Sequence, residues 1–147
     1  MIHFSVYLKN AWLVNDRLLN LLNLATIYVF SGPVPADADA AIDGTCVSLV
    51  TVKNGSTGVS FDTTVVNGVL QKNTSETWSG TAVASGTATF YRLCVGSDTG
   101  QAVSATGNYR VQGTVGIDAT FDLTASNTAL VSGDTFSINS YQLAIGQ

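Results

Sequence analysis

Hydrophobic and polar positions alternate at the start of the chain. Ile2, Phe4, Val6 and Leu8 fall on one side, and His3, Ser5 and Tyr7 on the other. A period of two predicts a strand, or an extended arm that pairs with a neighbour, over residues 1–10. The period then changes. Ala11, Val14, Leu18, Leu21 and Leu22 recur at three- and four-residue spacing behind Asn10, which predicts one amphipathic helix over 11–24 with Asn10 as its cap. From Thr26 the period returns to two, and Ser31-Gly32-Pro33-Val34-Pro35 stops the strand. Pro35 is placed to open a short helical turn over 36–42, closed by Gly44. Residues 45–52 are apolar on both faces, the pattern of a covered central strand. Val65-Val66-Asn67-Gly68-Val69-Leu70 has the form of a hairpin with a two-residue primed turn. Residues 87–95 read as another long strand.

Further on, Tyr109, Val111, Val115, Ile117, Ala119, Phe121 and Leu123 take the odd positions. Asn108, Arg110, Gln112, Thr114, Asp118, Thr120 and Asp122 take the even ones. This predicts an antiparallel strand run with one dry and one wet face. After Phe136 and Ile138 the apolar phase flips to Tyr141, Leu143 and Ile145. A period of two cannot change phase without an extra residue, so a β-bulge is expected at Asn139–Ser140. Seven to nine strands with frequent turns predict a mainly β fold, an antiparallel β-sandwich or jelly roll with one N-terminal α-helix. The 147 residues make one domain of 11–147 preceded by the arm. On this reading, removing residues 1–9 leaves the fold intact and weakens assembly.

Composition narrows function chiefly by exclusion. Hydrophobic residues make up 46% and charged residues only 11%, so the chain has ample apolar surface to fold. The net charge is −4 with six basic residues, and no basic stripe exists for nucleic acid. The most apolar stretch, 11–30, is interrupted by Asp16 and Arg17, which argues against a membrane span. Lys9 follows seven mostly apolar residues, the wrong order for a secretory signal, so synthesis and use in a cytoplasm are expected. Cys46 and Cys94 are then expected to be free, buried thiols.

Chemistry-bearing patterns are few. His3 is the only histidine and would have to serve any Ser–His or Cys–His arrangement from the extreme N-terminus. Asp118 and Asp122 on a straight strand would lie about 13 Å apart, against the roughly 5 to 9.5 Å that glycosidases use. Asp37, Asp39 and Asp43 form the one acidic cluster, but Ala41 and Ile42 stand where a calcium loop needs oxygen ligands, so a solvated turn is expected. Gly55-Ser56-Thr57-Gly58 lacks the lysine and following helix of a phosphate loop. No enzyme, metal or cofactor is therefore expected. Trp12, Trp78 and Arg92 read either as core or rim residues or as subunit-interface anchors, because Arg and aromatics concentrate at interfaces. With Ile2, Phe4 and Val6 of the arm they form the candidate interface set.

The stretch Ser31-Gly32-Pro33-Val34-Pro35-Ala36-Asp37-Ala38-Asp39-Ala40-Ala41 resembles a family of small virion structural proteins of tailed bacteriophages, in which a strand ending Ser-Gly-x-x-Pro precedes an alanine- and aspartate-rich turn. The resemblance continues at Thr77-Trp78-Ser79-Gly80-Thr81-Ala82 and Ser85-Gly86-Thr87-Ala88-Thr89-Phe90-Tyr91-Arg92, and reaches Asp134-Thr135-Phe136-Ser137-Ile138. It carries no catalytic residues. It implies a capsid decoration (cement) protein, a dimer or trimer of itself bound to the major capsid protein or other virion proteins, on the outer capsid surface of a particle assembled in a bacterial cytoplasm. A neck, collar or tail component is the alternative within the same class. A carbohydrate- or receptor-binding module is the alternative outside it, and would need exposed aromatics in a row; Trp78, Tyr91 and Tyr109 are scattered.

Overall fold

A computed structural model describes residues 1–144. The chain is mainly β, as expected, but its sheet closes into a seven-strand barrel rather than two stacked sheets. The strands are β1 (His3–Phe4), β2 (Thr26–Ser31), β3 (Val47–Asn54), β4 (Val69–Gln71), β5 (Trp78–Thr81), β6 (Gly86–Thr87), β7 (Phe90–Cys94), β8 (Arg110–Gly116), β9 (Leu123–Ala125), β10 (Ala129–Leu130) and β11 (Thr135–Ala144). The ring runs β8-β7-β2-β3-β5-β11-β9 and returns to β8 through a parallel β8–β9 contact. The strands β1 and β4 lie beside β8 and β11, and β6 pairs with β10 separately. Alternation is common to barrels and sandwiches. The closing contact, Val115 with Leu123 and Gly116 with Thr124, is short and leaves no periodic trace.

Inside the barrel, Ile27, Val29, Val52, Leu93, Val111 and Leu123 surround an aromatic group of Phe61, Trp78, Tyr91 and Tyr141. The ring centroids of Tyr91 and Tyr141 are 5.5 Å apart at 88°, and the Tyr91 hydroxyl donates to that of Tyr141 at 2.9 Å. Outside the barrel wall, Phe30 stacks on Phe90 at 5.0 Å, both fully buried.

The N-terminal reading is corrected in two places. The strand is two residues long, because Ser5 caps a helix, α1 (Val6–Val14), accepting from the Leu8 N–H at 3.3 Å. Leu8 and Ala11, three apart, supply its buried stripe, and Val6 is exposed. The predicted helix 11–24 is therefore shifted and broken: Asp16 accepts from the Arg17 N–H (2.7 Å) and the Asn20 amide (2.8 Å), starting a separate turn, α2 (Leu18–Leu21). Leu8, Leu18 and Leu22 belong to the barrel core, so the first ten residues are part of the body and not a free arm.

The helical turn expected at 36–42 is absent. Asp37 Oδ1 accepts instead from the amides of Asp39 and Ala40, which fixes a tight polar turn. The strand predicted at 45–52 is β3, and it is not covered on both faces, since Val47 and Thr51 are exposed. The strand predicted at 87–95 divides into β6 and β7, because Ala88 bonds Thr128 while Thr89 bonds Phe30. The hairpin at 65–70 forms as predicted, with Asn67 at φ 53° and Gly68 at φ 72° between the paired Val66 and Val69. The register of β11 shifts between Ile138 and Ser140, the place where the phase flip put a bulge. Ile145 lies outside the described residues.

Candidate functional site

The predicted wet face of 108–124 is where the structure departs furthest from the pattern. Arg110 and Gln112 on β8 and Arg92 on β7 are fully buried on the outer side of the barrel wall. Two long loops, 32–46 and 95–109, fold over them and supply the hydrogen-bond partners. Arg92 donates through Nε to the Gln112 side chain (2.9 Å), through Nη1 to the Gly100 carbonyl, and through Nη2 to the Asp37 carbonyl (3.0 Å). Arg110 grips Asp98 with Nε and Nη2, the second at 2.8 Å, while Nη1 donates to the carbonyls of Ala102 (2.8 Å) and Ala38 (3.3 Å). The Gln112 amide donates to the Pro35 carbonyl at 2.8 Å. Loops of this length are usually mobile or functional; here two guanidinium forks hold them down.

The charges settle accordingly. Burial pushes the Asp98 carboxyl up, but the Arg110 hydrogen bonds, the Gly100 N–H and both arginine charges outweigh it and hold the group below the usual carboxylate range. Burial and the nearby Arg110 charge bring Arg92 down to about 10, still protonated at neutral pH. Burial opposes the charge on Arg110, yet Asp98 more than compensates and raises it. The Cys94 thiol beneath them is raised by burial and by Asp98, and stays protonated. Every nitrogen of both guanidiniums has a partner inside the chain, so the cluster positions the loops.

The remaining acidic groups are engaged within the chain as well, except that Asp39 Oδ1 is buried without a hydrogen-bond partner among the described residues. Asp39 Oδ2 accepts from the Val6 N–H at 2.8 Å, the first amide of α1, and Asp43 accepts from Thr45. Asp118 closes a turn on Thr120, while Asp122 accepts from the Thr114 amide and hydroxyl and pairs with the Met1 amine at 3.0 Å. The two are not on one strand, and the positions expected to be dry there, Ile117 and Phe121, are exposed. Among the described residues no His, Cys, Asp and Glu side chains gather into a metal-sized group. No described helix is long and apolar enough to cross a membrane.

What the surface does offer is apolar. Leu13 and Val14 at the end of α1 are 80% and 82% exposed, and Val83, Ile117 and Val131 also stand out. A groove of about 480 Å³ runs along β11, lined by Ile2, Phe4, Phe121, Asp122, Tyr141 and Ala144 among others. A second of about 340 Å³ lies between α1 and the 105–109 turn, against Tyr7, Ala11, Val14 and Tyr109.

The six interface candidates divide. Trp78 is buried in the barrel, its indole N–H donating to Glu76 at 2.6 Å, and Arg92 is buried under the loops; neither reaches a partner, and the interface reading of these two is withdrawn. Ile2 and Phe4 line the larger groove, Trp12 packs edge-on to Phe4 at 6.2 Å, and Val6 is exposed beside them. Of the two thiols both are free; Cys94 is buried as expected, but Cys46 is only half-buried. The Arg–Asp staple itself was missed. Its one trace in the sequence is that Arg92 sits in an otherwise apolar strand. Comparison with protein-family models, with curated proteins and with solved structures returns no match.

Proposed function

We propose that this chain is a virion structural protein of a tailed bacteriophage, a decoration protein that cements the capsid through protein–protein contacts. Its partners on this reading are the major capsid protein and copies of itself as a dimer or trimer, on the outer surface of a particle built in the bacterial cytoplasm. The observation that carries the reading is an inverted distribution of function. The interior is filled by the chain's own aromatics, and the two buried guanidiniums are taken up in holding loops, whereas large apolar side chains such as Leu13 and Val14 stand in solvent. Val14 lines one groove with Tyr7, Ala11 and Tyr109, and exposed apolar surface gathered in this way supports a contact site there. The motif resemblance in 31–41 and 77–92 supplies the virion context.

Copy number decides it. Quantitative mass spectrometry of purified particles is expected to find this chain at a stoichiometry comparable to the major capsid protein. About a dozen copies or fewer would assign it to the neck, collar or tail, and its absence from particles would end the proposal.

A further inference from the structure

We propose that residues 117–122 form a strap, clasped by the Asp122 side chain, that lifts as a unit and opens the barrel between β8 and β9 while the other joints of the ring stay closed. The device belongs to the fold and operates whatever the chain binds.

The β8–β9 seam is the thinnest joint of the ring. β7 is in register with β8 from Phe90 with Thr114 to Cys94 with Arg110, and with β2 from Phe30 to Thr26. At the seam only Val115 with Leu123 and Gly116 with Thr124 are in register, and the pairing is parallel, the slightly less stable kind per residue. The β3–β5 joint is as brief, Lys53 with Ser79 and Asn54 with Trp78. It continues, however, through Val50 with Ala82 and through the bond from the Val83 N–H to the Leu49 carbonyl.

Parallel neighbours ordinarily need a crossover of about a dozen residues or more. Here 117–122 alone connect them, so the chain doubles back across the end of β8. Two glycines make room for it. A Cβ at Gly116 would run into the Phe121 ring, and one at Gly113 would lie 2.8 Å from Asp122 Cβ and from the Tyr91 hydroxyl.

The strap's other hydrogen bonds are to itself and to β9. Asp118 Oδ1 accepts from the Thr120 N–H at 2.9 Å, and the Asp118 carbonyl accepts from the Phe121 N–H and the Thr124 hydroxyl. Among the described residues, Asp122 alone ties it by hydrogen bonds across to β8. Its Oδ2 accepts from the Thr114 N–H and hydroxyl, each at 2.9 Å, standing where a ladder carbonyl would, and also pairs with the Met1 amine. The hydrogen-bonded Tyr91 and Tyr141 lie beneath. Tyr141 already lines the larger groove beside Phe121 and Asp122, so lifting the strap brings water to the pair.

Amide hydrogen exchange of the ¹⁵N-labelled full chain, followed by NMR at neutral pH in urea below the unfolding transition, tests the strap. The Val115 N–H donates to the Thr89 carbonyl on the β7 side at 3.1 Å, so alternation puts the amides of Thr114 and Gly116 on the β9 side. Thr114 and Gly116 are expected to exchange at least about tenfold faster than Val115 and than the amides joining β2 to β7, with a weak dependence on urea, the sign of a local opening. Asp122→Asn keeps the shape and loses the charge. It is expected to speed Thr114 and Gly116 by about tenfold more and to leave Val115 unchanged. If that variant fails to fold, the wild-type pattern alone decides. Thr114 and Gly116 exchanging only with the whole barrel, Val115 exchanging along with them, or Asp122→Asn speeding every barrel amide alike would each overturn the proposal.

Discussion

Arg110→Ala is the substitution with the most to say about this molecule. It deletes the two bonds to Asp98 and the bonds to the Ala38 and Ala102 carbonyls, and leaves the Asp98 carboxylate, with 8% of its side-chain surface exposed, only the Gly100 N–H and the nearby Arg92 charge. Removing one partner of a buried ion pair costs about 3–5 kcal/mol, because the other charge stays in a poorly solvated place. Against the 5–15 kcal/mol that ordinarily separates folded from unfolded domains, that is a large share, equivalent to a fall in Tm on the order of 10 °C for a chain of this size. Two controls separate charge from packing. Arg110→Lys keeps the charge but has no fork, so it is expected to recover only part of the loss. The pair Arg110→Met with Asp98→Leu removes both charges and is expected to be less destabilised than Arg110→Ala. Urea unfolding gives the free energies, and hydrogen exchange gives their location: amides of 32–46 and 95–109 are expected to lose protection before the barrel strands do. A cost under about 1 kcal/mol for Arg110→Ala, the range of exposed ion pairs, or unchanged loop exchange, would refute the staple.

Four further outcomes follow from the same contacts. Asp98, Asp122 and Glu76 all lie below their ordinary values when folded, so their stabilisation is present above the unfolded carboxylate range near pH 4 and is lost as pH falls through the folded values; urea midpoints flat from pH 7 to 2.5 would contradict this. Tyr91→Phe removes the donor at 2.9 Å from the Tyr141 hydroxyl inside the barrel and is expected to cost about 1–3 kcal/mol, with the Tyr91→Phe, Tyr141→Phe pair costing less than the sum of the two; an additive cycle would argue against a coupled pair. A thiol reagent is expected to modify Cys46 well before Cys94, whose reaction should wait for unfolding, and equal rates would place Cys94 nearer solvent than its burial implies. Deleting residues 1–9 removes Leu8 from the core and the Ser5 cap, so the truncated chain is expected to unfold at markedly lower urea, not merely to assemble less well; a full-stability truncation would restore the free-arm reading.

The hairpin at Asn67-Gly68 and the bulge at Asn139–Ser140 were legible because each depends on local information. A pair of residues tolerant of positive φ and a phase change along one strand are both written in consecutive letters. The N-terminus misled for a related reason. Ile2, Phe4, Val6 and Leu8 satisfy a period of two, while Leu8, Ala11 and Trp12 satisfy a helical one, and the arbitrating contact is a serine cap whose hydroxyl also accepts from the Arg110 amide at 3.1 Å, more than a hundred residues away.

Barrel closure and the arginine staple were illegible because both are long-range. The even positions Arg110 and Gln112 were read as wet from their polarity, yet burial needs only that every donor find an acceptor, and the acceptors are loop carbonyls that any residue type could supply. Of the candidate interface, the arm residues could be placed at a surface from their position and pattern. Whether Trp78 faced in or out could not, since its neighbour across the barrel, Tyr141, is more than sixty residues away.

The proposed role requires this barrel to work by being stuck to a larger shell. A cryo-electron microscopy reconstruction of the intact particle, with the barrel fitted to the density, addresses it directly. The prediction is barrel-shaped density repeated over the outer surface of the head, with the α1 end or the β11 groove turned toward the neighbouring subunits. A head lattice fully accounted for by other chains, with no place for a closed seven-strand barrel on its exterior, would contradict it.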